Sequence, residues 1–191
     1  MPGIDTTSDI DTLAKLGARV AALERQFKDM PDRNSLSLMV FSGDLDKLMA
    51  AFVMATGASA CDMKVTMFFS FWGTAALKKD GPQSPGKSLV ERMFGWMLPG
   101  GWGRRKLSNM HMGGMGRWLM SREMQRKRIP DLATLVQTAR DTGVRIVVCE
   151  TSMNLMGIRM EELIDYPEIC QCGVAHFLDT ASQSGTTLFI G

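Results

Sequence analysis

Residues 145–157, RIVVCETSMNLMG, place the tightest condition on how this chain can fold. Ile146, Val147 and Val148 form a short β-branched run, which suits a strand buried on both faces. Thr151 and Ser152 then offer an N-cap, and Met153, Leu155 and Met156 carry the chain into a short helix. Cys149 therefore stands where a strand ends and a helix begins. In an open α/β sheet that is the edge at which ligands bind. Free N–H groups at a helix start also favour a thiolate over a thiol. Glu150 acts in the opposite sense, because a like charge beside a thiolate raises its pKa.

The same alternation recurs along the chain. Strand signals at residues 36–41, 64–70, 145–148 and 186–190 are separated by helical stretches that include 45–56, 131–141 and 172–182. Gly57 reads as the end of the first of these helices. Strands alternating with helices imply right-handed crossovers and a parallel sheet covered on both faces. The sequence thus predicts one α/β domain over residues 34–191, with four clear strands and room for a fifth near 106–109. A chain of 191 residues with 45% apolar content can bury such a core.

Two segments depart from this pattern. Residues 1–30 form a helical arm, capped by Ser8 or Asp9, with Leu13, Leu16, Val20, Leu23, Phe27 and Met30 spaced alternately by three and four. Such a seam can pair with another helix or pack on its own domain, and two heptads do not decide between them. The arm is the expected oligomerisation element. Residues 80–130 are an insert with ten Lys and Arg against Asp80, Glu91 and Glu123, a balance of +7 in a chain of net charge +2. Trp96, Trp102 and Trp118 lie in it, and short helices are expected at 88–97 and 116–127. Arg104, Arg105 and Lys106 flank its glycine-rich turn and are the cluster expected to meet an acidic partner. A basic, tryptophan-bearing segment also suits a peripheral membrane contact, while nucleic acid has no motif in its favour.

Four cysteines, Cys61, Cys149, Cys170 and Cys172, follow a start with no basic or apolar leader, so a reducing cytoplasm is expected. Asp62 and Lys64 divide the apolar residues 48–77 into uncharged runs of 14 and 13, each short of the roughly 20 a spanning helix needs. Cys170 and Cys172 are read at the start of the last helix, near Cys149, where they could resolve a disulfide or persulfide formed on it. Cys61 reads as packing. Cys172 and His176, four apart, are half of a metal site, but only His111 remains among the histidines, so no metal is expected. No G-x-S-x-G elbow, G-x-G-x-x-G loop or P-loop occurs, which removes the usual hydrolase and nucleotide signatures. The Ser42-Gly43-Asp44 turn offers backbone N–H groups to a small anion, or is simply a capped helix start.

SLSLMVFSGDLDKLMAAFVMATGASA, VTMFFSFWG, MLPGG, LSNMHMGGMG and the CETSMNLMGI run with EELID resemble the longer branch of the DsrE/DsrF/DrsH-like sulfurtransferase family, some of whose members carry peroxiredoxin labels. The resemblance spans residues 36–190 in order. It implies a flavodoxin-like three-layer α/β/α fold, commonly oligomeric, and a cysteine that carries sulfur as a persulfide. That cysteine falls on Cys149, with Ser42, Gly43, Trp72, Gly73 and the Ser152-Met153 pair that follows it expected around the substrate. Two positions depart from the branch: Glu150 replaces an uncharged residue, and Asn154 stands where Asp is common. Cys170 and Cys172 lie outside the shared pattern and are auxiliary candidates. The function implied is a cytoplasmic sulfur carrier without a cofactor, since exchange at sulfur needs only a thiolate, access and a leaving group. Its partners would be sulfur donor and acceptor proteins or small sulfane-sulfur compounds, and it would assemble as a homo-oligomer. The competing reading is a binding module that docks a partner through the insert, and a buried Cys149 would favour it.

Overall fold

The computed structural model describes residues 6–28, 30–98, 100–109, 112–167 and 169–191. The chain divides into two units, residues 1–32 and 33–191. In the first, α1 (Thr6–Lys28) is one helix. Its seam residues Leu13, Leu16, Val20 and Leu23 are all exposed, and the Phe27 side chain lies outside the described residues.

The second unit is built on β1 (Asp32–Val40), β2 (Lys64–Phe69), β3 (Arg145–Cys149), β4 (Cys170–Cys172) and β5 (Ser184–Ile190). They form a single sheet in the order β4-β3-β2-β1-β5. The ladders β1–β2, β2–β3 and β3–β4 are parallel. At the other edge the Gly185 N–H donates to Ser35 Oγ and the Phe41 N–H to the Ile190 carbonyl, so β5 runs the same way as β1. Among the described residues, seven α-helices of this unit accompany the strands: α2 (Leu45–Ala60), α3 (Trp72–Ala76), α4 (Leu89–Met97), α5 (Met115–Lys127), α6 (Leu132–Asp141), α7 (Glu150–Met156) and α8 (Val174–Gln183). This is the flavodoxin-like three-layer arrangement that the family resemblance implies.

The order explains the layers. The chain steps outward from β1 to β4, then returns through α8 to set β5 beyond β1. Right-handed crossovers made in opposite directions must lie on opposite faces of a sheet. Leu36, Leu38, Val40, Val65, Met67, Phe69, Ile146 and Val148 accordingly bury one face together with residues of α2 and α6. The alternate residues Met39, Phe68, Val147 and Cys149 turn to the other, against Phe177 of α8. One face is thickly covered. The other is closed by α8 among the described helices, and Val174, Leu178 and Phe189 remain exposed there.

Several expectations are corrected. Gly57 lies inside α2, which continues to Ala60 because Cys61 and Asp62, the latter at φ 60°, make the exit. Cys61 is exposed rather than packed. The fifth strand is not at residues 106–109 but at Cys170–Cys172, a span too short and too polar to announce itself as a strand. The last helix therefore starts at Val174, and neither cysteine belongs to it.

The insert is fastened rather than loose. Ser88 and Glu91 form a reciprocal capping box at the start of α4. The Lys78 ammonium donates to the Leu98 carbonyl at 2.8 Å. Lys87 pairs with Glu162 with both side chains buried, and the Ser84 N–H donates to the same carboxylate at 2.7 Å. Arg105 is buried and donates to the Ala75 carbonyl at 2.8 Å. It is a structural tie, not part of an exposed Arg104–Lys106 cluster. The Arg104 side chain lies outside the described residues. No described helix is long and apolar enough to cross a membrane.

Candidate functional site

Cys149 ends β3 and is itself the N-cap of α7, with its backbone extended at φ −71° and ψ 117°. The cap expected at Thr151 or Ser152 is thus two to three residues late. This frees the Ser152 side chain for another role. Its hydroxyl lies 3.1 Å from that of Ser70, the residue after β2, and it accepts the N–H of Phe71 at 2.8 Å. Phe71 has φ 44° and ψ −121°. Such a conformation costs a non-glycine residue about 1–3 kcal/mol and must be held by its surroundings. Gly73 supports the same turn by close approach, since a Cβ there would stand 2.3 Å from the Val40 carbonyl oxygen.

Burial pushes the Cys149 thiol up. Against this, the Ser152 hydroxyl and N–H, the Ser70 hydroxyl and the Thr151 N–H all favour the thiolate, and together they hold the thiol below its ordinary value. Glu150 is exposed; the Cys172 thiol is pushed up first by burial, then by Cys170, and least by the charge of Glu150.

Cys149, Ser70, Thr151 and Ser152 line a cavity of about 410 Å³. The rest of its lining is apolar: Met39, Val174 and Leu178, with Phe41, Phe71, Phe177 and Phe189. Phe177 stands 5.2 Å from Phe68 and 6.2 Å from Phe189, ring centre to ring centre, so α8 and β5 are joined by aromatic contacts beside the sulfur. A thiolate held by hydroxyls at an apolar wall is poorly solvated by water yet charge-stabilised. That combination favours attack on a soft, weakly hydrated electrophile such as a sulfane sulfur.

The other candidates are dispersed. Ser152 shares the Cys149 cavity, whereas Met153 is buried in the core on the α2–α6 side. Ser42, Gly43 and Trp72 line a neighbouring cavity of about 320 Å³ with Arg105 and Lys106. Gly73 is a packing position. Cys170 and Cys172 are half-buried on β4, and Cys172 is the register partner of Cys149. With Cys172 on a strand, the helical spacing to His176 does not exist, and His111 lies outside the described residues. A larger cavity of about 990 Å³, between residues 78–85, Trp96 and Glu162, includes none of the cysteines. Sequence reasoning missed Ser70 and the aromatic wall. Ser70 directly follows a buried strand, at the same sheet edge as Cys149, and that was the signal available for it.

A family model described as DsrE/DsrF/DrsH-like matches residues 32–189. The chain is 39% identical over 154 residues to the uncharacterized protein YrkE of Bacillus subtilis, covering 81% of this chain and 95% of that one. It is 26% identical over 171 residues to the sulfur carrier protein DsrE2 of Allochromatium vinosum, covering 83% and 99%. The crystal structure of the YchN protein from E. coli superposes with a TM-score of 0.45 at 12% identity, over 81% of this chain and 98% of that one. With most of its length matched by the family model, this chain belongs to the DsrE/DsrF/DrsH-like family.

Proposed function

We propose that this protein is a sulfur carrier that holds sulfane sulfur as a persulfide on Cys149. The observation behind this reading is the sulfur's position: on the wall of an apolar cavity, with the Ser70 and Ser152 hydroxyls favouring its thiolate. The thiolate attacks the outer sulfur of a donor persulfide, R–S–SH, and the donor leaves as a thiolate. Cys149–S–SH forms with no net oxidation, and an acceptor thiol later takes the outer sulfur by the same exchange. The similarity to a protein named as a sulfur carrier, DsrE2, supports the same class of activity. We place this work in the cytoplasm, in a homo-oligomer that exchanges sulfur with donor and acceptor proteins or small sulfane-sulfur compounds.

A second reading has its own observation. Cys149 is only 5% exposed, which by exposure alone favours a binding module, and α4 displays Leu89, Val90, Met93, Trp96 and Met97 to solvent. Intact-mass measurement after incubation with polysulfide decides between them. Wild type gaining mass in steps of about 32 Da, with the gain lost in Cys149→Ser, is the expected outcome. An equal gain in Cys149→Ser, or none in wild type, ends the carrier reading and leaves the docking surface.

A further inference from the structure

Cys149 and Cys172 are Cα partners in the β3–β4 ladder, one residue opposite the other. Both belong to the cluster on the α8 face, so their side chains leave the sheet on the same side. Neighbouring strands run about 4.8 Å apart, within the Cα separation of about 4.4–6.8 Å over which two cysteine sulfurs can be linked. β4 is also the outermost strand on its side of the sheet. Cys149 is buried, whereas Cys170 and Cys172 are partly open. Cys170 shares the face of Cys172, and the Arg145 guanidinium donates to its sulfur at 3.6 Å, which supplies positive charge beside the pair.

We propose that Cys172 is a second sulfur station, which takes the outer sulfur from the Cys149 persulfide and presents it at the sheet edge to the thiol of an acceptor protein. This rests on the carrier reading above. In the step, the Cys172 thiol gives its proton to water and the thiolate attacks the outer sulfur of Cys149–S–SH. The new S–S bond forms on Cys172, the old one breaks, and Cys149 departs as a thiolate; nothing is oxidised or reduced overall. The direction follows from the surroundings. Hydroxyls stabilise the departing Cys149 thiolate. Burial, then Cys170, and also Glu150 push the Cys172 thiol up and outweigh the lowering by the Arg145 guanidinium, which makes it the stronger nucleophile once deprotonated. The relay also resolves a steric difficulty. A small donor can enter the apolar cavity, but the cysteine of a folded partner reaches a strand edge more readily than a sulfur 5% exposed.

Trypsin separates the two stations, since cleavage after Arg145 and Arg159 puts Cys149 in peptide 146–159 and Cys170 with Cys172 in peptide 160–191. The full chain is loaded with one equivalent of inorganic polysulfide, quenched with an alkylating agent at successive times, and mapped without reductant. The expected result in wild type is sulfur first on 146–159 and then on 160–191. Cys172→Ser should keep its sulfur on 146–159 and lose the later transfer, Cys170→Ser should still transfer, and Cys149→Ser should load neither peptide. Several results would overturn the relay: loading of 160–191 in Cys149→Ser as fast as in wild type, transfer unchanged in Cys172→Ser, or a Cys149–Cys172 disulfide with sulfide released in place of the second adduct. Sulfur that stays on 146–159 in wild type would sink the relay alone. Sulfur on neither peptide would end the carrier reading and the relay together.

Discussion

The hydroxyls of Ser70 and Ser152 lie 3.1 Å apart, joining the end of β2 to the first turn of α7. The sulfur that they both favour as a thiolate belongs to Cys149, the residue that connects β3 to α7. The end of β2 and the β3–α7 junction, 82 residues apart between Ser70 and Ser152, thus set the state of one thiol together.

Replacing Ser152 by Ala removes a hydroxyl that favours the thiolate, while the burial that opposes it stays. The Cys149 thiol should therefore rise, and the pH midpoint for its alkylation should move upward, with slower reaction at neutral pH. The Phe71 N–H also loses its acceptor. A stability loss of about 1–2 kcal/mol is expected for that. Alkylation rates read on peptide 146–159 across pH, with urea unfolding alongside, check both; an unmoved midpoint would show that the serines do not tune the thiol.

Leu178 is 61% exposed and lines the Cys149 cavity. Leu178→Glu should leave the fold intact, because exposed substitutions usually change stability by under about 0.5 kcal/mol. It should slow loading by anionic polysulfide by several-fold and slow an uncharged organic trisulfide less. The difference should shrink at high salt, since exposed charges are screened over about 8 Å at physiological ionic strength. Loading rates with the two donors at two salt concentrations test this, and equal slowing of both would remove the cavity as the route of entry.

Burial pushes the Glu162 carboxyl up, but the Lys87 ammonium and the Ser84 N–H more than reverse it and hold the group below its ordinary carboxylate value. Its folded value is lower than its unfolded one, so the stability it contributes is present above the ordinary carboxylate range and fades as pH falls through the folded value. Glu162→Ala should cost roughly 3–5 kcal/mol at neutral pH, because it strands the buried Lys87. The gap from wild type should narrow in acid. Urea midpoints at neutral pH and below the carboxylate range measure it; a gap that does not change with pH would argue that the loss is packing alone.

The exposed seam of α1, Leu13, Leu16, Val20 and Leu23, suits pairing with a second copy of the helix. Deleting residues 1–30 should lower the assembled mass in light scattering and leave loading of Cys149 by a small donor unchanged. An assembly of the same mass without the arm would assign oligomerisation to another surface.

The place of Cys149 at a strand end was legible from the sequence because its signals are local: a β-branched run, an abrupt stop and a helix signal within thirteen residues. The extents of α4 and α5, expected at 88–97 and 116–127, were legible to within a residue for the same reason. Arg105 was not. A cationic residue beside glycines reads as surface, and only the packed insert shows its guanidinium against the Ala75 carbonyl.

What the sequence determined by itself was the alternation of strands and helices, and the place of Cys149 at a strand end. Periodicity is written in neighbouring residues. Which strands lie side by side, and which face each residue meets, depends on pairings across the whole chain and on the hand of each crossover. Cys170-Gln171-Cys172 shows the difference. Three residues carry too little pattern to declare a strand, and they form one because β3 offers an unpaired edge. That pairing, decided only in the tertiary structure, sets Cys172 beside Cys149 and closes one side of the sheet.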